Sequence, residues 1–256
     1  MLKRSILYFL FFCAAWQANA QHFIDKAVIE FEVRSNVKKT MGNGTFMEML
    51  KEKMPDFKTA FYKYTFADNK SIFQFDRWAE SNYPVFLTRG EDENKWYFNF
   101  NTGKYTMQKN ISGSNIVVED SIRHLKWKLE NENRIIAGFN CRKAVTVLYD
   151  SVYVFAFYTE EITIPGGPCS LHGLPGTILG ITIPRLYTSW IATKVMINGV
   201  NESAIKPIST KKYFSQAELK DLINERTKDW FSNSSDANEQ KELQEAKNRF
   251  IWSIYL

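Results

Sequence analysis

Aromatic and β-branched residues recur at every second position along most of this chain, and that period of two sets its fold class. At 28–33, Ile29, Phe31 and Val33 fall on one face of an extended segment, Val28 lies on the other, and charged residues alternate with them. Tyr62, Tyr64 and Phe66 share a second such face. Asp68-Asn69 then reads as a tight connection into a partner strand at 72–75. Trp96, Phe98 and Phe100 repeat the pattern before Asn101-Thr102-Gly103, a second hairpin signal, with the return at 104–108. Further strands are predicted at 115–119, 124–130, 133–138, 142–149, 152–159, 177–183 and 187–197. Connections this short favour a meander over crossover units, so the expected class is mainly β with minor α. Strand twist curls a long meander, which predicts a strongly curved antiparallel sheet or partial barrel with Tyr, Phe and Trp filling its concave side. Such side chains serve first as core, and a ligand cavity is the competing use of the same residues.

Three segments carry helix signals instead. Thr45 with Glu48 fits a capping box ahead of 46–53, which Met54-Pro55 ends, and Ser215 with Glu218 opens a second helix through Lys228. Leu219, Leu222 and Ile223 give that helix an apolar stripe. Asp236 with Glu239 starts a third helix through Arg249, after a polar hinge at 232–235. The end, 250–256, is too apolar to be a solvated tail and is expected to dock on the sheet as an edge strand or a helix end.

The N-terminus carries Lys3 and Arg4, an apolar run over 6–15, and Ala18-Asn19-Ala20, the layout of a cleavable secretory signal over 1–20. The run is shorter than the roughly 20 apolar residues that span a bilayer. Bulky Phe11 and Phe12 argue against lipoprotein processing at Cys13. Beyond this leader the division is a β domain over 21–210 and a helical segment over 211–256 that packs on the sheet. The expected protein is exported, periplasmic or secreted, with no transmembrane span after processing. With 33 basic and 28 acidic side chains in 256 residues, two of the former in the leader, the charge excess is too mild for a nucleic-acid partner.

Export places Cys141 and Cys169 where disulfides persist, and each falls at the end of a predicted strand in a stretch of adjacent antiparallel strands. A Cys141–Cys169 bridge is therefore expected. His22, His124 and His172 have no zinc-ligand spacing, and no motif calls for a metal or cofactor. There is no phosphate loop, no Gly-x-Ser-x-Gly elbow, and Gly42-Asn43-Gly44 lacks the third glycine of a dinucleotide fingerprint. His172, Glu160 and Glu161 are the candidate acid–base residues. Adjacent residues of a strand point to opposite faces, so only one of the two glutamates can share a site with the histidine.

The most distinctive local sequence is Gly173-Leu174-Pro175-Gly176-Thr177-Ile178, behind Gly166-Gly167-Pro168 and running into Leu179-Gly180-Ile181. Pro175 presets φ for the second position of a turn and Gly176 supplies a positive φ for the third, so 174–177 is expected to form a type II turn into the strand 177–183. Together with Lys126-Trp127-Lys128, the stretch 136–144 around Cys141, and Phe157-Tyr158-Thr159-Glu160-Glu161-Ile162, this order of segments resembles the GLPGLI family, secreted or periplasmic proteins of Bacteroidetes. The resemblance covers about 125–185. Thr177 stands where the family has Leu, Asp150-Ser151 stands for its Gly-Arg, and Cys169 falls slightly early.

That resemblance implies an exported protein and brings no reaction with it. The leading expectation is a non-enzymatic envelope protein that binds a hydrophobic or extended ligand, or an envelope partner protein. An envelope hydrolase or transferase using His172 with Glu160 or Glu161 is the alternative from another class. A structural accessory of an outer-membrane complex is a third.

Overall fold

The computed structural model describes residues 24–41, 45–80, 82–149, 151–228 and 237–256. The leader over 1–20, the Gly42-Asn43-Gly44 stretch, the hinge at 232–235 and the capping residue Asp236 lie outside them. Eleven strands form one antiparallel sheet: β1 (Ala27–Asn36), β2 (Phe57–Ala67), β3 (Lys70–Trp78), β4 (Lys95–Asn99), β5 (Lys104–Ile111), β6 (Ser114–Ser121), β7 (Lys128–Ile136), β8 (Phe139–Leu148), β9 (Val152–Thr159), β10 (Thr177–Ile183) and β11 (Thr188–Met196). Their spatial order is β6-β5-β4-β3-β2-β1-β11-β10-β9-β8-β7, two meanders joined where β1 pairs with β11. The helices are α1 (Val37–Thr40), α2 (Thr45–Glu52), α3 (Val85–Thr88), α4 (Gln216–Thr227) and α5 (Ala237–Tyr255). No described helix is long and apolar enough to cross a membrane.

The hairpins follow from residues that tolerate positive φ. Asp68 and Asn69 both have φ of 52°, giving the two-residue turn whose twist matches that of its strands. Ser112-Gly113 and Ala137-Gly138 repeat the device between β5 and β6 and between β7 and β8. The strands expected separately at 124–130 and 133–138 are one strand, β7, with an irregularity in its pairing between Leu129 and Asn133. Its polar sequence there gave the appearance of a break.

Inward residues of β1, β2, β3 and β4 stack as the period of two requires. Tyr62 lies parallel to Phe73 at 5.0 Å, Phe31 meets Phe73 edge-on at 5.9 Å, and Phe73 leans on Trp96 at 5.5 Å. Each such ring contributes on the order of 2–3 kcal/mol by leaving water. The aromatic row is thus packed core over this part of the sheet.

The sheet itself is open, neither closed nor strongly curled, which corrects the expected barrel-like curvature. The apolar face is covered by other means. Ile162, Ile164, Leu171 and Leu174 of the long connection between β9 and β10 lie in the same core as Phe31 and Phe98, as do Leu219 and Ile223 of α4. Ile254 of α5 and Leu256 complete the cover. The Ser215–Glu218 capping box forms as predicted, and the apolar end of the chain continues as helix to Tyr255.

Candidate functional site

The glycine motif is built into the scaffold. Gly176 has φ of 141°, positive as expected, but the turn is tighter than type II: the Gly176 N–H donates to the Leu174 carbonyl at 2.8 Å, a three-residue turn over Pro175. The Thr177 N–H, which would close a type II turn, donates instead to the Ile162 carbonyl at 3.1 Å. Thr177 is fully buried, and its hydroxyl donates to the carbonyls of Ile164 at 2.7 Å and Ile162 at 3.1 Å. The Ile178 N–H donates to the Gly166 carbonyl at 3.0 Å. The Thr177 hydroxyl therefore satisfies backbone carbonyls that the β9–β10 connection buries.

His172 is committed to the same scaffold. Its Nδ1 lies 2.8 Å from the Ser170 carbonyl and its Nε2 2.5 Å from the Arg123 carbonyl, while its own carbonyl accepts from Trp127 Nε1 at 2.8 Å. Both ring nitrogens therefore face backbone carbonyls of the scaffold, and neither is directed at a carboxylate. Glu160 and Glu161 are both exposed and bond elsewhere. Glu160 accepts from the Tyr158 hydroxyl at 3.3 Å, and Glu161 Oε1 accepts from the Asn140 N–H at 2.9 Å. No described hydrogen bond joins either glutamate to His172, so the three residues singled out for acid–base work are not brought together.

The expected disulfide is also absent: Cys141 and Cys169 are separate buried thiols. Cys141 sits in β8 opposite Arg134 of β7. Cys169 is carried by the long β9–β10 connection to the other half of the sheet, where it lines a cleft with Lys109 of β5. Adjacency in strand order suggested a pairing that this connection removes. Burial pushes the thiols up to about 11 for Cys141 and about 12 for Cys169, so both stay protonated at neutral pH.

That cleft, of about 550 Å³, lies between the inward face of the sheet and α5. Its floor is Val33 of β1, Tyr62 of β2, Trp96 of β4 and Trp190 of β11. Its roof is Ala246, Phe250, Ser253 and Ile254, whose spacing of four, three and one places them on one helical face. At the mouth stands Phe86 of α3, 64% exposed. The roof is tied down by Trp96 Nε1, which donates to the Leu256 backbone oxygen at 2.8 Å, and by Lys109 Nζ, which donates to the Ser253 carbonyl at 3.0 Å.

Four basic side chains reach this apolar space: Lys58, Arg89, Lys109 and Arg249. Lys58 pairs with Glu91, the one acidic residue of the lining, and donates to the Leu87 carbonyl at 2.7 Å. Lys109 lies 4.4 Å over the Trp96 ring and has no carboxylate partner among the described residues. Burial holds its ammonium below the usual lysine range. Arg89 and Arg249 likewise form no ion pair with a described carboxylate. The sequence carries a signal for two of these four basic residues. Lys58 is in phase with the inward Ala60, Tyr62 and Tyr64, and Lys109 is in phase with the inward Tyr105, Met107 and Ile111. A lysine on the core face of a strand marks an unusual environment.

No family model matches the chain, and no curated protein matches it. Among solved structures it is similar to PNGF-II in a P21 crystal form, with a TM-score of 0.50 and 15% identity over 77% of this chain. A C2 crystal form of PNGF-II gives a TM-score of 0.49 with 14% identity, again over 77% of this chain. An uncharacterised conserved protein from Thermus thermophilus gives a TM-score of 0.39 with 5% identity, over 75% of this chain and 92% of its own. The chain spans about a third of PNGF-II, 33% in the first form and 32% in the second. The PNGF-II likeness concerns the fold alone.

Proposed function

We propose that the chain is an exported binding protein, resembling the GLPGLI family, whose cleft between the sheet and α5 receives a ligand with an apolar body. The observation that carries this reading is the cleft itself: about 550 Å³ of space floored by Val33, Tyr62, Trp96 and Trp190 and roofed by one face of α5, within the size range of ligand pockets. The commitment of His172 to backbone carbonyls and the separation of Glu160 and Glu161 from it favour binding over hydrolysis or group transfer.

The test is uptake of an uncharged solvatochromic dye by the full chain. Saturable uptake with a blue-shifted emission is expected. Ala246→Trp, which places an indole in the cleft from its roof, is expected to abolish uptake with little change in the melting temperature. Absence of uptake by the folded protein, or equal uptake by Ala246→Trp, contradicts the assignment.

A further inference from the structure

The charge around the cleft has a direction that its apolar lining does not explain. A ligand with only an apolar body needs no cations, and desolvating them costs free energy that nothing in such a ligand returns. Yet four basic groups and one acidic group line the space, and the acidic group is matched by Lys58. Lys109, Arg89 and Arg249 are left without a described carboxylate. Lys109 projects from the core face of β5, where its ammonium meets the Ser253 carbonyl and the Trp96 ring and shares the field of Glu91 with Lys58, so one carboxylate serves a lining of four cations. The two arginines come from separate elements, one just after α3 and one on α5, and both line the same cleft. Guanidinium groups match the paired oxygens of a carboxylate or phosphate.

From these observations, and resting on the binding reading above, we infer that the ligand is an anionic amphiphile: a single apolar chain along Val33 and Trp190, with its acidic head among Lys109, Arg89 and Arg249. The head supplies the counter-charge that the described residues do not, and the chain takes the space between the sheet and Phe250. Phe86, exposed at the mouth, lines the cleft together with Arg89.

Displacement of the bound uncharged dye from the full chain tests this with four compounds of one chain length, used below their micellar concentrations: dodecanoate, dodecyl phosphate, dodecanol and dodecyltrimethylammonium. An anionic compound is expected to displace the dye at concentrations about tenfold lower than dodecanol, a difference of about 1.4 kcal/mol. The order of dodecanoate and dodecyl phosphate then identifies the head group. That preference is expected to shrink in salt and to fall towards parity in Arg89→Gln/Arg249→Gln, and separately in Lys109→Met. Dodecanol matching both anions, or dodecyltrimethylammonium displacing best, overturns the inference and leaves the binding reading standing. Failure of the dye itself to bind folded protein removes both.

Discussion

Gly176 is held in place by what its α-carbon touches. A β-carbon there would lie 2.0 Å from the Thr159 carbonyl oxygen and 2.8 Å from its carbonyl carbon, so the contact is with backbone that has no rotamer to change. Gly173, three residues earlier, also has positive φ, at 89°, but the nearest atom to a β-carbon is Trp127 Nε1 at 3.8 Å. Gly176→Ala is therefore expected to cost about 3 kcal/mol or more, and Gly173→Ala about 1–2 kcal/mol from backbone conformation alone. Denaturant unfolding of the two variants measures the difference, and equal losses would mean that the β9–β10 connection does not pack against Thr159 as described. Sequence made the positive φ at Gly176 legible, because a Pro-Gly pair carries it locally. The clash with Thr159 was not legible, since it depends on a strand 17 residues away being pressed against the turn.

Elements were readable where each carried its own signal. The turn residues Asp68-Asn69 and the Ser215–Glu218 capping box act within a few residues, and both formed as predicted. What binds strands to one another on the outer face is non-local. Glu30 of β1 accepts from Arg77 of β3 at 2.9 Å, and Lys63 of β2 bonds Asp76 of β3 at 2.6 Å, linking three strands through charged groups. The hydrogen bond from Arg77 holds the Glu30 carboxyl below its ordinary 4.5, with Thr193 adding to the effect. A depressed carboxyl means that the unfolded chain takes up the proton first. Its stabilisation is complete above 4.5 and is lost as pH falls through the folded value. Melting temperature is accordingly expected to fall on acidification below 4.5, with a shallower acid limb in Glu30→Gln. Identical acid limbs in the two proteins would show that this ion network adds nothing to pH dependence.

At the scale of the molecule, the order of strands could not be read from the chain. Each meander follows from short turns, but the pairing of β1 with β11 joins residues some 160 positions apart in sequence, such as Val33 with Trp190. That pairing sets Val33 and Trp190 side by side on the floor of the cleft. The β9–β10 connection and the helices cover the apolar face, so an open sheet suffices where a curled one was expected. The same long-range placement explains why the acid–base trio looked coherent in sequence and is not so in space. His172 follows the β9–β10 connection to Arg123 and Phe98, while Glu161 stays on the β8 side with Asn140. Conversely, Lys58, Arg89, Lys109 and Arg249 are scattered in sequence and meet only because α5 lies across the inward face.

The most direct measurement is native mass spectrometry of the full protein and of Ala246→Trp, each isolated from cells of its native source, with bound species released and identified. The account predicts a non-covalent adduct on the unaltered protein, an amphiphile with one acidic head, and its loss from the variant. A clean mass for the folded, unaltered protein, or the same adduct on both proteins, would contradict it.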